Sequence, residues 1–80
     1  MALYVFSETP VEDGSFHIGI EAEDEDGAAW RAGETLGRLL SRASDGSKQW
    51  TDGFRRYRCF NLGTDGEQYK EFCRTIGVRP

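Results

Sequence analysis

Hydrophobic positions follow a strand-like period at the start of the chain and a helical one from residue 28. Residues 3–7 are a short apolar run, and residues 15–22 alternate, with Phe16, Ile18, Ile20 and Ala22 on one side and Ser15, His17, Gly19 and Glu21 on the other. A period of two predicts strands, because successive side chains leave a pleated backbone on opposite faces. Between them ETPVEDG carries Pro10 and the Asp13-Gly14 pair, which suit a turn and predict an antiparallel hairpin.

Over residues 28–43 the period becomes helical. At 100° per residue Ala29, Ala32, Leu36, Leu39, Leu40 and Ala43 share one arc, opposite Arg31, Glu34, Arg38 and Arg42. Asp26 suits the N-cap of this helix. Gly33 and Gly37 lie on its flank next to Trp30, where they either give room to the indole or a crossing strand, or floor a flat groove for a partner. Next, SDGSKQW, TDG and FRRYRCFNL predict a second hairpin turning at Asp52-Gly53, with a strand over residues 54–62. Its favoured register turns Tyr57 and Cys59 to the core and Arg56, Arg58 and Phe60 outward, since the opposite one buries two arginines. Thr64 and Glu67 have capping-box spacing, and Tyr69, Phe72, Cys73 and Ile76 then share a helical face that ends at Gly77. The expected fold is therefore α+β in the order ββαββα: an antiparallel sheet of about four strands, packed on one face by two helices.

Eighty residues support a single compact domain, residues 1–80. The start MALYVFSETP lacks the basic opening and long apolar segment of a signal peptide, which predicts a soluble protein of the cytoplasm, with no membrane partner. Cys59 and Cys73 are fewer than the four or more cysteines of a disulfide-dependent secreted domain of this size, so both are expected as reduced, part-buried thiols.

Charge alters this picture. Residues 1–30 hold eight acids and no Lys or Arg, a net −8, whereas residues 31–80 hold ten bases and six acids, a net +4. The acids are densest in EAEDED, residues 21–26. Carboxylates ahead of a helix favour the positive end of its dipole, but one or two suffice. The only histidine, His17, falls on the polar side of its strand beside Glu21, and with the two cysteines it gives three N/S ligands without metal-site spacing. No nucleotide loop, nucleophile elbow or acid–base set is present, so no catalytic residue, metal or cofactor is assigned and a binding protein is expected.

Two surfaces suit binding. The first is an acidic edge of Glu21, Glu23, Asp24, Glu25 and Asp26, joined by Glu12 and Asp13 of the hairpin turn. Its carboxylates resemble a run of phosphates and suit a partner protein with a basic, nucleic-acid-binding surface. The second is the open face of the sheet, where Tyr4 and Phe6 lie near His17, Arg56 and Arg58; aromatics and arginines there suit base stacking or a protein interface. The acidic surroundings disfavour direct nucleic-acid contact.

The segment LYVFSETPVEDGSFHIGIEAEDEDGAAW resembles the hairpin-then-helix starts of some phage-encoded anti-CRISPR proteins that act on type I systems, over about a third of the chain. The resemblance implies a non-enzymatic inhibitor, acting in the host cytoplasm, that occupies the surface through which the surveillance complex (Cascade) receives target DNA. EDGSFHIGIEAED is also similar to the start of HicB-type antitoxins, although the Pro-Asp-Leu-Pro-Gly-Cys segment and DNA-binding extension of that family are missing. The alternative is such an antitoxin, or a small nucleic-acid-binding module that uses the open sheet face.

Overall fold

The computed structural model describes residues 1–12 and 14–79; Asp13 lies outside the described residues. The order is β1 (Ala2–Glu8), β2 (His17–Ala22), α1 (Glu25–Leu36), β3 (Ser41–Arg42), β4 (Trp50–Thr51), β5 (Arg56–Asn61) and α2 (Gly66–Ile76). The fold is α+β, with one antiparallel five-stranded sheet in the order β2-β1-β5-β4-β3. Both expected hairpins form. β1 pairs with β2 from Ala2↔Ala22 to Ser7↔His17, and β4 turns into β5 at Asp52, whose Oδ1 accepts the N–H groups of Phe54 and Arg55. The fifth strand is the two-residue β3, too short to leave a period in the sequence.

The two helices lie on opposite faces of the sheet, which corrects the expectation that both cover one. On one face Tyr4, Phe6, Trp50 and Tyr57 pack with Ala28, Ala29 and Ala32 of α1, with Ile18, Ile20 and Cys59 at the margin. The other face carries Val5 and Phe60, which are register partners, and Phe72 of α2 lies 5.1 Å from Phe60 and 5.5 Å from His17 between ring centroids. β1 is thus buried on both sides. The continuous apolar run of residues 3–6 is what such a strand needs, whereas a strand with one wet face alternates.

Three further expectations change. Tyr4 and Phe6 are core residues, 7% and 0% exposed, so there is no open aromatic sheet face. Phe60 is buried rather than outward, and Arg58 lies on the same face in an ion pair with Glu71 of α2, its guanidinium 4.6 Å above the Phe60 ring. His17 is half-buried beneath α2 rather than on a wet surface, with Nδ1 2.7 Å from the Ser7 hydroxyl. Cys59 packs beside α1 and buried Cys73 belongs to α2 on the other side of the sheet; both thiols are free. Burial of the Cys59 thiol, with a smaller push from the Glu25 charge, raises its pKa well above the ordinary value and keeps it protonated.

Helix α1 is shorter than the sequence period implies. Gly37 takes a left-handed conformation (φ 74°), and its N–H and that of Arg38 cap the carbonyls of Glu34 and Gly33. The chain then folds back across Gly33, where a side-chain Cβ would sit 2.7 Å from the Arg38 carbonyl oxygen. Gly33 therefore serves a close backbone crossing. Leu40 reaches the core from this returning segment, so it keeps the helical arc without being in the helix. Helix α2 begins at Asp65 rather than Thr64, the Asp65 carboxylate accepting the N–H groups of Glu67 and Gln68.

These turn and cap carboxylates set an acid limit on stability. The N–H groups of Arg55 and Phe54 hold the Asp52 carboxyl down at about 2, against an ordinary value of 3.8, and hydrogen bonds from Ser47 and Gln68 lower Asp45 and Asp65 in the same sense. A folded pKa below the unfolded one gives stability that is complete above the unfolded value and lost as pH falls through the folded value. The melting temperature should accordingly be flat above about pH 5 and drop between about pH 4 and pH 2. Thermal melts across that range test this, and Asp52→Asn should make the drop shallower.

Candidate functional site

Helix α1 decides which acids of residues 21–26 remain free. Its N-cap is Asp24, not Asp26: the Asp24 Oδ1 accepts the Gly27 N–H at 2.7 Å, and its carbonyl accepts that of Ala28. Glu25 is also used by the fold. Its Oε2 accepts the Trp50 indole N–H at 2.8 Å and lies 2.9 Å from the Arg42 guanidinium, which stacks 4.5 Å above the Trp50 ring. One carboxylate thereby ties the start of α1 to β3 and β4. Glu21, Glu23 and Asp26 are exposed, and their carboxylates have no hydrogen-bond or ion-pair partner among the described residues.

Glu12 does not join them. It lies in the β1–β2 loop at the far end of β2 from Glu21, about 17 Å away along a six-residue strand. Asp13 lies outside the described residues.

Trp30 is brought next to one of the free acids, Asp26. Asp26 and Trp30 are four residues apart on α1, hence on one flank of the helix, and Trp30 is 61% exposed. Beyond it a shallow groove of about 240 Å³ is lined by Trp30, Gly33, Glu34, Gly37, Arg38 and Leu39. Leu39 forms its far wall and is 67% exposed. The helical arc of the sequence runs through Gly37 and hides this role of Leu39; a glycine near the end of an amphipathic period is also a stop signal, and stopping there frees Leu39.

Half of the ten cationic side chains are matched by ion pairs among the described residues. Arg38, Arg42, Arg55, Arg56 and Arg58 pair with Asp52, Glu25, Glu8, Asp45 and Glu71. Such exposed pairs add little stability but cancel local potential. The Ser7–His17 contact has the look of a nucleophile and base, yet Ser7 is 0% exposed and no substrate can reach its hydroxyl. Among the described residues no helix is long and apolar enough to cross a membrane. No family model, curated protein or solved structure matches the chain, so its function is read from this geometry.

Proposed function

We propose that this is a non-enzymatic binding protein whose α1 flank docks on a basic, nucleic-acid-binding surface of another protein. The observation that supports it is the junction of unused carboxylates with an exposed apolar anchor: Asp26 one turn before Trp30, exposed Glu23 just ahead of the N-cap, and the groove that runs from Trp30 to Leu39. A fold that has already used Asp24 for capping and Glu25 for Trp50 gains only a small helix-dipole contribution from further acids there, and an exposed Trp beside a groove is the kind of residue that dominates binding energy. Carboxylates around it steer a basic partner and suppress acidic ones. The specific form implied by the sequence resemblance is an anti-CRISPR inhibitor that blocks target DNA binding by a type I surveillance complex. The nucleic-acid-binding alternative loses its basis, because Tyr4 and Phe6 lie beneath α1.

Target-DNA binding by a purified type I surveillance complex, with and without this protein, tests the reading. The wild type should inhibit, and less so as salt rises. Trp30→Ala should weaken inhibition about 30-fold or more, as loss of a hot-spot residue does. The double variant Glu23→Gln, Asp26→Asn should weaken it about 3- to 10-fold, chiefly through slower association. No inhibition by the wild type rejects the anti-CRISPR assignment; inhibition unaffected by either variant rejects the α1 flank as the docking surface.

A further inference from the structure

One edge of the sheet is open and self-complementary. β2 and β3 are its two edge strands, and β3 has only two residues. In the β1–β2 ladder the Glu8 N–H donates to the Phe16 carbonyl at 2.9 Å, which fixes the parity: Phe16, Ile18, Ile20 and Ala22 bond inward to β1. His17, Gly19 and Glu21 therefore aim their N–H and C=O groups away from the sheet. The Arg31 guanidinium confirms this direction, since it reaches the Glu21 carbonyl from outside at 3.0 Å. The six-residue edge strand has neither proline nor lysine, and its charge is confined to one end, at Glu21 and the Arg31 guanidinium that reaches it.

We propose that β2 pairs antiparallel with β2 of a second copy about a two-fold axis at Gly19, joining two sheets into one of ten strands. This register uses all three outward residues: Gly19 pairs with its own counterpart, and His17 with Glu21 of the partner copy, twice. Each Glu21 then sits across from a His17 of the second copy instead of from its own kind, so the two-fold brings no like charges opposite each other. On the α1 side Ile18 falls opposite Ile20, and Phe16 opposite Ala22. Ile18 and Ile20 are only partly covered by α1, and Phe16 is 47% exposed, so apolar area is available on both copies where they meet. On the α2 side Leu3, 40% exposed, leans over Gly19, with Cδ1 3.6 Å from where a Cβ would be; the two-fold brings two such leucines toward each other above the glycine pair. The Glu21 carbonyl retains a lone pair beside its Arg31 contact. Because β3 is too short to serve as the complementary edge, the association closes as a dimer rather than growing head to tail.

The inference does not depend on the proposed docking of α1, and its test needs no partner. Sedimentation from low to high micromolar concentration should show the wild type moving from 9.0 kDa toward twice that mass. Gly19→Pro removes the outward N–H without touching the β1 ladder, and Gly19→Lys opposes two like charges at the axis while keeping the N–H. The Cβ of either has ordinary room beside Leu3. Both variants should stay at 9.0 kDa at every concentration, with Gly19→Lys the deciding one if proline perturbs the strand. A wild type that remains at 9.0 kDa, or a dimer that survives in Gly19→Lys, overturns the proposal.

Discussion

Replacing Phe6 by alanine should leave the domain unfolded or barely folded. Phe6 is 0% exposed near the middle of β1, an interior strand, meets Trp50 edge-on with ring centroids 6.4 Å apart, and is roofed by the small residues of α1. Truncating a buried phenylalanine costs about 3–5 kcal/mol, because the lost transfer energy is joined by a cavity that neighbours only partly fill. The total stability of a domain this size is itself about 5–15 kcal/mol at most. Small alanines on α1 cannot reach down into the hole. A denaturant titration followed by circular dichroism measures the loss; a change below about 1 kcal/mol would place Phe6 outside the core.

Phe60→Ala should be nearly as damaging, and from the opposite side of the sheet. Its ring is 1% exposed, packs against Phe72 and lies under the Arg58 guanidinium. The expected loss is again about 3–5 kcal/mol. This variant discriminates between the two architectures. With both helices on one face Phe60 is a surface residue, and its truncation shifts stability by no more than about 0.5 kcal/mol. A loss in the larger range, together with a helix signal that falls as α2 detaches, requires a sheet covered on both sides.

Residues 15–22 show β2 together with its two faces, whereas residues 3–7 show β1 as a strand but not that both its faces are covered, and the two outcomes have one physical cause. Alternation reports a strand with a wet face, and β2, at the edge, has one; β1 sits between β2 and β5 under both helices and has none. The Asp52-Gly53 turn and the Gly77 stop were readable because their chemistry is local. The side of the sheet that each helix takes is not local, since it depends on whether Phe60 or Tyr57 meets α1. The candidate site was legible in the same uneven way. Excess acid in residues 21–26 and the Trp30–glycine flank can be seen in the sequence, and the use of Asp24 for capping and Glu25 for Trp50 cannot, because the second contact joins residues 25 positions apart.

The position of β1 also governs how the chain is made. Its second neighbour, β5, is some 55 residues downstream, with Val5 waiting for Phe60, and the cover over Val5 waits longer still for α2. A growing polypeptide that has released β1, β2 and α1 has one flank of its middle strand unpaired and one face bare. It cannot close the sheet until β5 and α2 have followed. Contacts this distant slow folding, and an exposed strand in the interval invites pairing with other chains. The N-terminal half of the sheet is therefore not secure by itself: β1 stays open on one flank until β5 is made and on one face until α2 is.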